Sequence, residues 1–333
     1  MKQNSKITII FLIGIIVLIL SIIMSITYGA KAVGLSDIID GILGRNTDNF
    51  NVNVVMARIP RTIFGLIAGM SLSIAGALMQ SITRNPIADP SILGVNTGAS
   101  LFIVMGIAFF NIQSKLAYMG IAFIGALLTA LFVYNLASLG NGGATPIKLA
   151  ISGAAVSTAL TSLISIFVMP DSSVMTTFRF WQIGSIGGTT NTDILLLLPF
   201  TIASIVVSLM ISNNLDTMLL SEETAKALGL NVDLTRAVAA ICGVLLCSTT
   251  TALAGPISFI GLMIPHLIRA IVGSNHKVLI LTSGLYGGAI LIISDVLGRI
   301  LGRPGELESG IMTALIGAPV FIYLIRKAKL QSI

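Results

Sequence analysis

Residues 62–82 read TIFGLIAGMSLSIAGALMQSI, a stretch without a single charged side chain. About 20 apolar residues in a helix are enough to cross the hydrocarbon core of a bilayer. Small residues recur at every fourth position of this stretch, at Gly65, Gly69, Ser73 and Ala77, and such spacing lets helix backbones approach closely in lipid. The stretch therefore predicts a membrane-spanning helix that packs inside a bundle of other helices.

The rest of the chain repeats this pattern. Of its 333 residues, 55% are hydrophobic and 10% are charged, whereas an ordinary soluble domain has about 25% charged residues. Ten apolar stretches, each with at most one charged residue, are bounded by charged residues, prolines and glycines: 7–28, 62–82, 91–110, 116–138, 149–169, 194–212, 237–255, 257–270, 278–297 and 310–325. The sequence thus predicts an all-α, polytopic membrane protein with about ten transmembrane helices, in a single domain over residues 1–333.

The seventh and eighth stretches leave one alternative open. Residues 237–255 are rich in Thr and Ser, and Pro265 interrupts the short stretch 257–270. The two are therefore either separate spans or one broken unit.

The distribution of charge orients the ten helices. An even number of spans places both termini on one side, and the segments predicted on that side hold 11 basic and five acidic residues. The segments on the other side hold eight basic and eight acidic residues. Because cytoplasmic loops carry an excess of Lys and Arg, we expect both termini to be cytoplasmic. The net charge of +6 is then explained by membrane topology, and no nucleic-acid partner is predicted.

Several kinds of functional site are not indicated. The phosphate-binding loop of many ATPases ends in Gly-Lys-Ser/Thr, and the chain has no Gly-Lys dipeptide. We therefore expect a protein that is not an enzyme and that relies on another polypeptide to bind any ATP. The centres of the predicted spans hold almost no ionisable residues, which argues against a proton- or sodium-coupled carrier. No catalytic residue, metal site or cofactor is predicted.

Two polar segments lie between predicted spans. Residues 84–90 read RNPIADP, in which Pro86 ends the second span and Asp89 caps the third, as in a tight turn. Residues 221–230 read SEETAKALGL and predict a short helix with an acidic first turn that ends at a glycine. Two leucines at its end, at 228 and 230, favour an apolar contact with a partner. The alternative is a solvated connector.

These motifs occur in the same order in a known family. The matching blocks are Arg58-Ile59-Pro60-Arg61, residues 76–80, Asn85 to Pro90, residues 222–230, residues 261–266 with Arg269, and residues 317–321. Over about residues 58–326 the chain resembles the permease subunits of the iron-siderophore and vitamin B12 class (FecCD type) of ATP-binding-cassette importers. The resemblance implies a type II importer fold in the bacterial cytoplasmic membrane. It also implies a second permease copy or paralogue, two ATPase subunits and an extracytoplasmic substrate-binding protein as partners.

The resemblance further implies roles for individual residues. A coupling helix within residues 215–232 would contact the ATPase through five residues: Glu222, Glu223, Ala225, Leu228 and Gly229. A docking surface for the binding protein would include Arg58, Arg61 and Arg299. A cytoplasmic gate would include Asn85 and Ile87, next to the loop at residues 141–147. Because Arg299 lies four residues after Asp295, we also expect these two to form an ion pair along one helix face.

We therefore predict the permease subunit of an importer that moves a ferric siderophore inward, with ATP hydrolysed by a separate subunit. Vitamin B12 or haem is the alternative cargo within the same class. A secondary ion-coupled transporter is the alternative from a different class, because such proteins use discontinuous helices and Pro265 would mark such a break.

Overall fold

The structure is a computed structural model that describes residues 2–140 and 143–331. Within these ranges every regular element is helical. The α-helices are α1 (Lys2–Thr27), α2 (Leu35–Leu43), α3 (Phe50–Thr83), α4 (Val95–Phe110), α5 (Lys115–Ser138), α6 (Pro146–Val168), α7 (Ser172–Ile183), α8 (Asn191–Met210), α9 (Ser212–Met218), α10 (Glu222–Ala227), α11 (Val232–Ala254), α12 (Ile260–Val272), α13 (His276–Leu301) and α14 (Ser309–Gln331), and a 3-10 helix (Pro90–Leu93) precedes α4.

Each of the ten predicted apolar stretches coincides with one of these helices. Among the described residues, seven helices are long and apolar enough to cross a membrane: α1, α3, α5, α6, α8, α11 and α13. The other three, α4, α12 and α14, are apolar but shorter. The seventh and eighth stretches form two separate helices, since α11 ends at Ala254 and α12 begins at Ile260, but only α11 has the length of a full span. The prediction of an all-α polytopic protein is confirmed.

The helices extend beyond the apolar stretches at several places. Helix α3 begins at Phe50, well before the predicted span, and the side chain of Asn49 caps it by accepting a hydrogen bond of 2.9 Å from the Asn51 N–H. The predicted loops also contain α2, α7, α9 and α10. Apolar patterning marks only the part of a helix that lies in lipid, whereas capping side chains determine where the helix begins.

The centre of the bundle is built from close contacts between glycines. A Cβ atom added to Gly69 on α3 would collide with the Gly287 carbonyl on α13, and one added to Gly76 would collide with the Gly261 carbonyl on α12. Only glycine permits backbones to approach this closely. The predicted stripe of small residues therefore packs α3 against two neighbours within the same chain.

Contacts between the long helices give their relative directions. The Tyr286 hydroxyl on α13 donates to the Ile10 carbonyl (3.0 Å), and Arg299 donates to the Ser25 carbonyl (3.0 Å), so α1 and α13 run parallel. Helix α3 runs antiparallel to both, since Arg61 lies beside Asp295 and Ser81 lies beside His276. Helix α14 runs back from the end where α13 finishes. The start of α1 and the end of α14 therefore lie at the same end of the bundle. We call this end the terminal end and the other one the opposite end.

Candidate functional site

The short helix α10 lies at the terminal end and forms as the sequence predicts. The Ser221 hydroxyl accepts a hydrogen bond of 3.0 Å from the Thr224 N–H, which caps the helix. The acidic first turn complements the helix dipole. Gly229 follows the helix with φ +84°, a left-handed conformation that glycine adopts without strain. Local sequence alone thus fixes both ends of the predicted coupling helix.

Three leucines around α10 are exposed at the terminal end. Leu220 and Leu228 each expose 66% of their surface, and Leu219 exposes 43%. Ala225, on the inner side of the helix, is completely buried. Leu230 was expected to belong to the apolar patch, but it is half-buried and packs against the core, because the turn at Gly229 directs the chain back to α11. The exposed apolar surface is therefore Leu219, Leu220 and Leu228, which we call the leucine patch.

A buried arginine connects this region to the bundle. Arg236 on α11 forms an ion pair with Glu222 on α10, and its other terminal nitrogen donates to the Ala144 carbonyl at 3.1 Å. Ala144 lies in the loop that joins α5 to α6. Glu222, predicted to face a partner, is thus already engaged inside the chain, whereas Glu223 is not held in this way and lies exposed in the first turn.

The predicted gate turn lies beside the same region. The Asn85 side chain accepts a hydrogen bond of 3.1 Å from the Ile87 N–H, and Ile87 is exposed. Arg84 donates to the Met218 carbonyl at the end of α9 (2.9 Å). Burial raises the pKa of the Asp89 carboxyl, although two hydrogen bonds from Ser91 act in the other direction. Of the second gate loop, residues 141 and 142 lie outside the described residues.

A polar cluster at the terminal end was not found from the sequence. The two ring nitrogens of His276 lie 2.6 Å from the Asp216 carboxylate and 2.6 Å from the Ser81 hydroxyl. Arg269 on α12 donates to the same hydroxyl at 3.0 Å. The cluster joins α3, α9, α12 and α13, whose residues are far apart in sequence, so no local spacing indicates it.

At the opposite end, the three arginines predicted for docking are brought together. Arg58 donates to three backbone carbonyls, of Ile26, Thr27 and Lys31, at 2.7 to 3.1 Å. The first two carbonyls belong to the last turn of α1, where backbone acceptors lack helical partners, and that of Lys31 lies just after the helix. Arg58 is therefore 6% exposed and closes the end of α1.

Asp295 holds the other two arginines. Arg61 donates to both carboxylate oxygens of Asp295 and also pairs with Glu306 at 2.6 Å. Arg299 pairs with Asp295 at 3.0 Å, which confirms the predicted ion pair along α13. Arg299 is 1% exposed. The guanidinium groups thus bond within the chain instead of projecting from its surface, because span-end arginines here find acceptors on neighbouring helices.

These arginines nevertheless line a cavity of about 660 Å³ that opens at the opposite end. Its wall also includes Lys31, Phe50, Asn191 and Glu306. The exposed Lys31 ammonium lies 4.2 Å from the centre of the Phe50 ring, a cation–π contact. The cavity is therefore a basic depression whose deeper arginines are fixed and whose rim lysine is accessible.

One membrane-length helix exposes a polar face. Four hydroxyl side chains of α6 are exposed on one side: Thr158, Thr161, Ser162 and Ser165. Each donates to the carbonyl four residues earlier at 2.8 to 3.1 Å, so the lone pairs of its oxygen face outward. Lys148, at the start of the helix, is the one charged residue of α6. This face is neutral, polar and continuous over two turns.

A polar cavity of about 360 Å³ adjoins this face. Its polar wall comprises Asn96, Thr97, Ser100, Thr161, Gln182 and Ser258. Helices α4, α6 and α7 and the link between α11 and α12 contribute these side chains. The cavity and the α6 face together form a neutral polar surface that is suited to a bulky, hydrogen-bonding solute.

A model of the FecCD transport family matches residues 17–327. The chain belongs to the FecCD transport family. It is 39% identical over 314 residues to the ferric enterobactin transport system permease protein FepD of Escherichia coli (strain K12), covering 94% of this chain and 93% of FepD. It is 36% identical over 276 residues to the cobalamin import system permease protein BtuC of Halobacterium salinarum, covering 83% of this chain and 74% of BtuC.

Comparison with solved structures also points to an ABC transporter permease. A metal-chelate type ABC transporter in an inward-facing conformation matches 96% of this chain and 99% of that chain, with a TM-score of 0.82 and 26% identity. The predicted importer permease and its fold are confirmed over the secondary-transporter alternative. The chain is a multi-pass membrane transport permease.

Proposed function

We propose that this FecCD chain is the permease subunit, in one transmembrane domain, of an ATP-driven importer that moves a ferric siderophore across the bacterial cytoplasmic membrane. The neutral hydroxyl face of α6 carries this proposal. A ferric siderophore is a large chelate with many hydrogen-bonding oxygen atoms, and ionised side chains in the pathway would hold it too tightly to release it. Hydroxyl groups offer many weak contacts instead.

The same face supports a second permease copy as partner. Polar groups at membrane depth are found where they line a cavity or face protein. The neighbouring groove on α14, lined by Ile311, Leu315 and Ala318, is apolar and exposed. Two copies that pack through such grooves would enclose the α6 faces and form a shared pathway.

The two ends of the bundle support different partners. The leucine patch at the terminal end offers an apolar contact to an ATPase subunit, with Glu222, Glu223, Ala225, Leu228 and Gly229 in the coupling helix. The cavity at the opposite end offers a basic docking surface to an extracytoplasmic binding protein. In this proposal Arg58, Arg61 and Arg299 are positioning groups that shape the surface, since they bond within the chain. Asn85 and Ile87 act in the gate turn beside the coupling region.

The terminal end is cytoplasmic in this proposal. Labelling with a membrane-impermeant maleimide in intact cells tests it, using single cysteines in a chain whose Cys242 and Cys247 are replaced by Ser. Cysteines at positions 48 and 179 should react and a cysteine at position 226 should not, because the first two lie at the opposite end. Reaction at position 226 in intact cells would contradict this topology.

Uptake assays test the cargo. The full transporter, reconstituted in proteoliposomes with its ATPase and binding protein, is given ATP and ferric enterobactin, ferric citrate, haem or cyanocobalamin. ATP-dependent accumulation of a ferric chelate is expected. Accumulation of cyanocobalamin or haem alone would assign the alternative cargo. Uptake that persists without ATP and collapses with a protonophore would contradict the proposal.

A further inference from the structure

Arg236 is placed where three segments of the terminal end meet. It belongs to α11, pairs with Glu222 of α10 and donates to the Ala144 carbonyl of the α5–α6 loop. Asp233, on its own helix, lies 3.7 Å away and is exposed. The guanidinium is almost completely buried, and its Nε atom has no hydrogen-bond partner among the described residues. A buried charge with an unpaired N–H is costly, so a merely structural link would be better served by another residue.

The loop that receives this bond is tied to the start of α6. Lys148 of α6 donates to the Leu139 carbonyl (3.0 Å) and to the Gly143 carbonyl (3.3 Å), which holds the two ends of the loop together. The Thr145 side chain caps α6. A displacement of Ala144 is therefore passed to the first turn of α6, the helix that carries the hydroxyl face.

The shape of the arginine side chain makes the link between Glu222 and Ala144 rigid. The guanidinium is a rigid planar fork whose two terminal nitrogens keep a fixed separation. When Glu222 moves with α10, the fork either follows it and pulls on Ala144 or loses one of its two bonds. A lysine would not transmit the movement in the same way, because its ammonium is a point charge on a flexible stem and does not hold two acceptors at a fixed separation.

We propose that Arg236 is the positioning residue that transmits movement of α10 to the start of α6, and so couples the ATPase contact to the terminal end of the transport pathway. This inference rests on the proposed function. It assigns Glu222 to transmission within the chain, and leaves the contact with the ATPase to the leucine patch and Glu223.

The test measures whether the start of α6 responds to nucleotide. Ile147, the second residue of α6, is exposed, and Ile147→Cys in a chain with Cys242 and Cys247 replaced by Ser provides a single label site. In the full transporter with its ATPase subunits, the maleimide labelling rate is measured without nucleotide and with ATP plus vanadate. We expect the two rates to differ in this parent chain. In Arg236→Gln the ratio of the rates should fall to unity, while ATP hydrolysis continues.

Two further variants separate transmission from stability. Asp233→Asn removes a charge at the same site but leaves both bridging bonds of Arg236, and should keep the parent ratio. Arg236→Lys keeps the charge without the fork and should lose most of the response; it also answers the question if Arg236→Gln fails to assemble. A parent-like ratio in both Arg236 variants overturns the inference. A parent chain that hydrolyses ATP with its ATPase but does not respond at position 147 also overturns it, whereas a parent chain that binds no ATPase instead contradicts the proposed function.

Discussion

The two ends of the bundle use charged side chains in different ways. At the opposite end, Asp295 and Arg299 on α13 and Arg61 on α3 form a buried group between long helices. At the terminal end, Arg236 and Arg84 each extend from a long helix to a short connecting segment. The first arrangement fixes long helices to one another. The second attaches short segments, namely α9, α10 and the α5–α6 loop, to the ends of long helices.

This difference indicates that the two ends of the bundle differ in rigidity. Long helices joined by a buried charge group move together, because separating them would leave charges unpaired in an apolar interior. Short helices joined by one or two polar bonds can shift at lower cost. In the proposed importer, the opposite end is therefore the rigid frame on which the binding protein docks, and the terminal end is the part that moves with the ATPase.

The strongest test of the rigid frame is Asp295→Asn. This change leaves the buried Arg299 without a counter-ion and removes one of the two partners of Arg61. We expect the free energy of unfolding to fall by about 3 to 5 kcal/mol, the usual cost of breaking a buried ion pair. Thermal unfolding of the purified protein in detergent, followed by the fluorescence of Trp181, measures the effect.

The matched control is Glu306→Gln, which removes the outer partner of the same arginine. Glu306 is considerably exposed, so its loss should cost less than about 1 kcal/mol. Equal destabilisation by the two variants would contradict the view that the buried carboxylate holds this end together.

The frame also marks the limit of sequence analysis. The ten apolar helices are predictable, because absence of charge over about 20 residues is a strong local signal. The Asp295–Arg299 pair is predictable from its spacing of four residues. The pairing of Asp295 with Arg61 is not, since it joins residues that are more than 200 positions apart. Sequence alone therefore suggested exposed arginines where the fold supplies buried partners.

The terminal end shows the same limit. The caps of α10 follow from Ser221 and Gly229, which act on their immediate neighbours. The links from Arg236 to Ala144 and from His276 to Asp216 depend on how α9, α10 and α11 return to the bundle. Periodicity in the sequence carries no information on such a return path, so these residues were missed.

Leu228→Asp tests the terminal end, where the leucine patch is proposed to contact the ATPase. Burial of a leucine in an interface contributes about 1.5 to 3 kcal/mol, and a charge there would have to be desolvated. We expect the complex with the ATPase to weaken by at least about tenfold while the permease remains folded, as measured by co-purification and by the apparent Tm of the permease alone.

The control for this variant is Leu35→Asp on α2, a leucine outside the leucine patch that is at least as exposed as Leu228. It should leave the amount of co-purified ATPase unchanged. A comparable loss in both variants would mean that the introduced charge harms the membrane protein in general, and would remove the leucine patch from the ATPase contact.

The smallest effect is expected at the rim of the opposite end, where Lys31 is exposed above Phe50. Lys31→Glu reverses a charge on the cavity without disturbing the backbone carbonyl of Lys31 that accepts from Arg58. Exposed ion pairs contribute about 0 to 1 kcal/mol, so the association rate with the binding protein should fall by roughly twofold to fivefold at low ionic strength. The deficit should shrink as salt is added, because screening weakens long-range attraction between exposed charges. Stopped-flow association kinetics with the reconstituted transporter provide the measurement.

Arg179→Glu is the control, since Arg179 is exposed on α7 but does not line the cavity. An equal, salt-dependent slowing in both variants would assign the effect to the overall charge of this end and not to the cavity.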